Sequence, residues 1–313
     1  MPDITNEKSS IKKSFNPTER GKTWFLIPIL SIPVLNFLIF WVGVNFQSIL
    51  NAFRIEEFGE IKFSLINWKY LWDDLFGANP YSDLKLLIKN TFVYFGVGFC
   101  IVLPLSLILA YFLYKKIRFY KYYRIVFFLP NIISAAVLAT LYKFMFNPSV
   151  GGIIPQIYTA ITGKEAINFL MSPDHALTAV VIYSIWTGFS VNLIIFNGAM
   201  ARVPLSVVEA AKLDGVSMTQ EFFKILLPLM WPTLSTIIIT SVAGIFTSSG
   251  AVLLLTGGDY DTSSISFWIY IQTKNELSIY YPSTVGLACS IIAFPLVLGV
   301  KKLTELIYPD VAY

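Results

Sequence analysis

Residues 90–114 read NTFVYFGVGFCIVLPLSLILAYFLY, and no charged side chain stands between Lys89 and Lys115. A helix needs about 20 apolar residues to cross the hydrocarbon core of a bilayer. This run meets that requirement, and it places the chain in lipid. Working outward, runs of the same kind cover residues 24–44 (with Pro28 and Pro33), 125–146, 176–201, 226–250 and 281–300. The predicted fold is therefore all-α, a polytopic transmembrane helical bundle of six spans. The fifth run stays uncharged from about Ile225 to Asp259, which is too long for one straight span. Pro228 and Pro232 at its start, with Gly244 and Ser248-Ser249-Gly250 later, predict a kinked helix to about residue 250 followed by irregular backbone. Residues 262–273 are apolar but too few to span; they read as a re-entrant or interfacial segment.

Composition agrees. Of the 313 residues, 56% are hydrophobic and only 13% charged, too little charge to cover a soluble surface. Aromatics make up 16%, as expected where rings sit at lipid–water boundaries. A net charge of +4 does not suggest a nucleic-acid partner. Cys100 and Cys289 both lie in apolar runs and read as reduced thiols, not as a disulfide framework. His175 is the only histidine, which leaves little for a histidine-based metal site or relay.

The placement of Lys and Arg sets the expected orientation. Polar residues 1–23, with Lys8, Lys12, Lys13, Arg20 and Lys22, read as a cytoplasmic leader and not as a cleaved signal. Together with 115–124, 202–224 and the tail from Lys301, they hold 15 of the 23 basic residues. Acids outnumber bases in 45–88, 147–174 and 257–280, which would lie outside. Both termini, including the tail 309–313, are then cytoplasmic. The cluster Lys115, Lys116, Arg118, Lys121 and Arg124 reads as a topology signal.

The centres of the expected spans carry no Asp, Glu, Lys or Arg. Ion-coupled carriers use such groups as relays, so a proton-driven carrier is disfavoured, while a Na⁺ site of carbonyls and hydroxyls stays open. There is no G-x-x-x-x-G-K-[ST] phosphate loop, and no catalytic set at a plausible depth. The chain reads as a non-catalytic membrane subunit whose energy comes from a partner. Gly257-Gly258 with Asp259 and Asp261 admits a calcium reading, but turn chemistry accounts for it.

The connection between the fourth and fifth runs, residues 202–228, reads RVPLSVVEAAKLDGVSMTQEFFKILLP. Pro204 suits a first helical position. Residues 205–213 then form a short helix, Asp214-Gly215 stops it, and Ser217 with Gln220 starts the next through a capping box. The small pair Ala210-Ala211 would let a partner's backbone approach closely.

Glu209-Ala210-Ala211-x-x-Asp214-Gly215, followed by Phe222, Ile225 and Leu227-Pro228, resembles the cytoplasmic EAA loop of bacterial ABC importer permeases of the maltose and multiple-sugar class. Val216 stands where that family usually has a small residue. Further likeness lies in Asn67-Trp68-Lys69-Tyr70, Asn90-Thr91, Phe128-Leu129-Pro130, Ile132-Ile133-Ser134 and Gly151-Gly152. Leu254-Leu255-Thr256-Gly257-Gly258 resembles the first, MalF-like permease of the pair, with Asp259 where Pro is usual. The resemblance implies the fold of a type I ABC importer transmembrane domain. It also implies a second, MalG-like permease, two ABC ATPase subunits that bind ATP and Mg, and an extracellular solute-binding protein delivering a carbohydrate. Glu209, Ala210, Ala211, Asp214, Gly215 and Phe222 would couple to the ATPase. Another solute, such as glycerol phosphate or a larger oligosaccharide, would fit the same architecture.

Sugar recognition needs hydrogen-bonding groups and aromatic faces. Tyr183, Trp186, Asn192, Asn197, Ser241, Thr247 and Ser248 are the candidates for a substrate pathway, set against helix–helix hydrogen bonding or aromatic packing at each position.

Overall fold

The computed structural model describes residues 17–77, 79, 82–275 and 279–307, with side chains from Trp24 onward. Residues 1–16 of the expected leader and the tail from 308 lie outside the described residues. The described residues fall into two compact units that divide between Asn51 and Ala52. In the first, helix α1 (Trp24–Asn51) is continuous and longer than the expected 24–44. Pro28 and Pro33 lie within it, and Phe37–Val42 widens into a π-turn.

The second unit opens with a two-stranded antiparallel hairpin, β1 (Arg54–Glu57) and β2 (Glu60–Phe63), in the register Arg54↔Phe63 to Glu57↔Glu60. It is the only sheet among the described residues of a fold that is otherwise helical, as expected. Phe58 and Gly59 both take positive φ (53° and 81°), the geometry a two-residue hairpin turn requires. Helix α2 (Ile66–Phe76) follows; the buried Asn67 donates from Nδ2 to the Arg54 carbonyl at 2.8 Å and holds the hairpin to it.

Helix α3 (Leu84–Tyr114) starts before the expected 90, because Lys85 and Lys89 extend it beyond the apolar run. The expected third span, 125–146, is in fact two helices, α4 (Tyr120–Ile132) and α5 (Ala135–Phe146), bent by 99°. Ile133 and Ser134 are extended between them, and Pro130 cannot donate to the helix that precedes the break. At 1.5 Å per residue α4 is only about 20 Å long, short of a bilayer core. Helix α6 (Ile153–Thr162) is a short connector, and α7 (Pro173–Met200) is a continuous 28-residue helix.

Helix α8 (Leu205–Leu213) and helix α9 (Met218–Leu229) form the long connection, and α9 runs into α10 (Trp231–Ala243) through a 74° bend at Met230. Pro228 and Pro232 flank that bend. The fifth span ends at Ala243, well before the expected 250; Gly244 closes it and a 3-10 turn, Ile245–Thr247, follows. Then come α11 (Val252–Leu255), α12 (Ile265–Lys274) and α13 (Tyr280–Ile307). Among the described residues four helices are long and apolar enough to cross a membrane, and up to six spans result if each bent pair counts as one. The segment expected to be re-entrant or interfacial is α12, which packs against α13 and α3.

Packing divides into three clusters. At the Lys115 end, α3 lies along α7, and Leu193, Phe196, Met200, Leu226 and Met230 are fully buried with them. At the other end, Tyr94, Tyr142, Tyr183 and Val252 centre a second cluster, and Leu84, Ile265 and Val285 a third. Residues 256–264 are anchored on α3. Asn90 Nδ2 donates to the carbonyls of Asp261 (2.7 Å) and Ser263 (2.8 Å), and Tyr94 donates to that of Thr262 (2.8 Å). Thr91 Oγ1 accepts from the Ile265 N–H at 3.0 Å. Asn90 and Thr91 are wholly buried and clamp this loop. Gly258, at φ 92°, has no room for a side chain, since a Cβ would stand 2.4 Å from the Phe267 ring. Among the described residues no cluster of acids, His or Cys could hold a metal.

Candidate functional site

Two features bear on function: the α8–α9 connection and a cavity between α3, α7 and α10.

Helix α8 has no side-chain cap at its start and a glycine stop at its end. Pro204 is its N-cap, one position earlier than expected, and Leu205 is the first helical residue. Gly215 has φ 71°, its N–H donates to Lys212 O, and the Val216 N–H donates to Ala211 O (both 3.1 Å). This is a Schellman stop, and it needs a left-handed residue at 215. Ser217 and Gln220 form the reciprocal capping box that begins α9, with Ser217 N–H donating to Gln220 Oε1 at 3.1 Å. The reversal between the helices is thus specified by Gly215 and Ser217 themselves.

The connection is fastened to the end of α3. Lys115 Nζ donates to both oxygens of Glu221, at 2.8 and 3.0 Å. The side chains are 16% and 4% exposed. Tyr111 donates from its hydroxyl to the Met218 carbonyl at 2.9 Å, and its ring meets that of Phe222 at 4.9 Å between centroids. Glu221–Leu226 is a π-turn, a local widening that often accompanies functional strain. Sequence reasoning missed the Lys115–Glu221 pair because 106 residues separate its members. The available signal was one acid in the first turn after a cap, facing a basic cluster that needed no partner to set topology.

The six coupling candidates divide. Glu209, Ala210, Asp214 and Gly215 are exposed. Ala211 and Phe222 are buried at 7% exposure within this chain's own core. Phe222 packs on Tyr111, and of the small pair only Ala210 is exposed. Leu213, which sequence reasoning passed over, is 89% exposed at the tip.

The cavity has a volume of about 390 Å³ and is lined by polar, aromatic, valine and glycine residues with no charge among them. Asn192, Ser241 and Ser248 reach it, as do Tyr94, Phe95, Phe99, Ser184 and Thr240. The Asn192 amide and the Ser241 hydroxyl make no hydrogen bond among the described residues. Ser184, Thr240 and Ser248 each donate to a carbonyl of their own segment (2.8, 2.8 and 3.2 Å) and keep oxygen lone pairs free to accept. A π-turn in α3, Gly98–Val102, forms part of the wall. Gly188 lets α7 approach it, since a Cβ there would meet Val102 Cγ1 at 3.3 Å. Gly250, at φ 55°, passes so close that a Cβ would meet Ser184 Oγ at 2.9 Å and the Tyr94 ring at 3.2 Å.

The other pathway candidates lie elsewhere. At about 100° per residue, Tyr183, Trp186 and Asn197 project from the opposite side of α7 to Ser184, Gly188 and Asn192. Tyr183 is 3% exposed and packs edge-on against Tyr142 at 4.9 Å; Trp186 is 41% exposed beside it. Asn197 donates to the Leu193 carbonyl at 2.9 Å and lines a different cavity. Thr247 is exposed, donates to the Gly244 carbonyl at 2.9 Å and does not reach the cavity wall. The chain listing alone hid this division, because whether residues of α7 share a face depends on where α3 and α10 pack.

A family model described as the inner-membrane component of binding-protein-dependent transport systems matches residues 102–313. The multiple sugar-binding transport system permease MsmF of Streptococcus mutans is 27% identical over 277 residues, 83% of this chain and 92% of that protein. The lactose transport permease LacF of Rhizobium radiobacter is 30% identical over 64% of this chain and 68% of its own length. The sn-glycerol-3-phosphate transport permease UgpA of Yersinia enterocolitica is 30% identical over 65% of this chain and 66% of its own. In structure, a chain of a bacterial ABC transporter involved in the import of the acidic polysaccharide alginate superposes with a TM-score of 0.80 at 20% identity, covering 93% of this chain and 98% of that one. The bent pairs and the α8–α9 connection thus occur in a chain whose fold is that of an ABC importer's transmembrane subunit. The chain belongs to the inner-membrane components of binding-protein-dependent transport systems.

Proposed function

We propose that this chain forms half of the translocation path of an ATP-driven importer for a sugar or oligosaccharide, and that α8 docks on an ATPase subunit. The second half would be a MalG-like permease. Two ATPase subunits would hold ATP and Mg, and an extracellular solute-binding protein would deliver the substrate. The loop end of the bundle would face the cytoplasm, with both termini on that side. The observation that carries this reading is the connection itself: Glu209, Ala210 and Leu213 stand outward on a helix stopped by Gly215, and the following helix, α9, is tied to α3 through Lys115–Glu221. A push on α8 then reaches the wall of the cavity along a covalent and ion-paired route. Proline-flanked bending at Met230 would let α10 move when it does, in the manner of a two-state packed element.

The uncharged cavity supports a neutral, hydroxyl-rich solute over a phosphate ester. Asn192 and Ser241 supply free hydrogen-bonding groups and Phe95 and Phe99 supply apolar faces, whereas a phosphate would call for a Lys or Arg in the wall. Reversal of charge by Glu209→Lys tests the coupling. The assembled transporter should lose ATP hydrolysis stimulated by the loaded binding protein, with membrane insertion unchanged. Normal stimulated hydrolysis in that variant would remove α8 from the coupling route.

A further inference from the structure

On the far side of α7 from the proposed path, a second cavity of about 550 Å³ opens between the end of α3, the start of α4 and the last turns of α7. Tyr114, Lys116, Tyr120, Arg124, Ile194 and Asn197 contribute to its wall. Lys115 points away to Glu221, but Lys116 and Arg124 are paired with no carboxylate among the described residues. Two unpaired cations therefore share one cleft with two half-buried tyrosines and the Asn197 amide. Beyond the charged mouth the surface becomes apolar, with Phe128 of α4 in the wall and Ile194 of α7 exposed beside it. Two cations at the end of a membrane-spanning helix, continuing into an apolar track along it, match the shape of an anionic phospholipid. Aromatic rings with polar tips at the same level suit the headgroup boundary. Basic pockets between membrane helices bind anionic headgroups on this physical basis.

We infer that this cleft is a binding site for an anionic phospholipid, its headgroup phosphate held by Lys116 and Arg124 and its acyl chain lying on α7. Lys115, Glu221 and α9 sit on the neighbouring face of the same helix end, so a lipid here would brace the turn on which the α8–α9 connection depends.

The test uses the full-length chain purified in detergent, stripped of lipid and titrated by native mass spectrometry. The probes are phosphatidylglycerol, phosphatidylcholine and inorganic phosphate. Phosphatidylglycerol should bind at least tenfold more tightly than phosphatidylcholine, and millimolar inorganic phosphate should not displace it. The double variant Lys116→Gln/Arg124→Gln should weaken phosphatidylglycerol about thirtyfold, each basic group near the surface contributing about fivefold. Lys116→Arg/Arg124→Lys, which keeps both charges, should retain binding, and Lys121→Gln, outside the cleft wall, should change it less than twofold. Equal binding of the two lipids, full displacement by inorganic phosphate, or an unaltered affinity in the double glutamine variant would each overturn the assignment.

Discussion

Removing one member of the Lys115–Glu221 pair should loosen the α8–α9 connection far more than replacing both. Glu221→Ala leaves the Lys115 ammonium, 16% exposed, without its partner, and also empties the space of a carboxylate that is 4% exposed. Breaking a buried pair from one side typically costs about 3–5 kcal/mol. The lower end applies here, about 3 kcal/mol, because the ammonium can still reach water. At 1.4 kcal/mol per decade that is a rise of roughly 100-fold in the local opening constant. Amide hydrogen exchange over residues 216–227 in the detergent-solubilised chain would report it directly, since these amides open with α9. Lys115→Met should accelerate exchange by a similar factor. The double variant Lys115→Met/Glu221→Leu, which exchanges two charges for apolar groups of comparable size, should return to within about fivefold of the original rate. Single variants whose exchange changes less than threefold would show that the pair does not hold the connection. A double variant as fast as either single would show that packing and not charge carries the loss.

Other consequences follow from the same geometry. Leu213→Ala removes the exposed apolar tip of α8, so affinity for the ATPase subunit should fall by about 2 kcal/mol, or thirtyfold, with the chain's own melting temperature unchanged; binding of the purified subunits measures both. Gly250→Ala must put a methyl group against Ser184 and Tyr94 at φ 55°, which should destabilise the chain by about 1–3 kcal/mol and slow uptake; thermal unfolding and transport rates that match the original would contradict the close approach. Asn90→Ala deletes both bonds to the 256–264 loop, costing about 2 kcal/mol, and exchange of the amides of 262–265 should quicken by at least tenfold.

Much of this structure is legible in the sequence where local chemistry decides it. The run 90–114 predicts α3 because nothing charged interrupts it, and the turn after α8 is written in Gly215, Ser217 and Gln220, which act on their own neighbours. What was not legible depends on partners distant in the chain. The break at Ile133-Ser134 has Pro130 as a local warning, but the 99° angle comes from how α5 packs. The hairpin at 54–63 carries Phe58-Gly59 at its turn, an unusual pair for two positive φ values. Burial of Phe222 follows from Tyr111 packing against it. Asn192 reaches the cavity and Asn197 does not, although both are amides on one helix, because five residues of helix turn them to opposite sides.

The claim that α8 is the docking element rests on which of its side chains face outward, and site-specific photo-crosslinking tests that most directly. A photoreactive residue placed at position 210 or 213 in the assembled transporter should capture the ATPase subunit, and the same residue at position 208, buried at 4% exposure, should not. Capture from 208 but not from 210 or 213, or no capture of the ATPase from any of the three, would contradict the account.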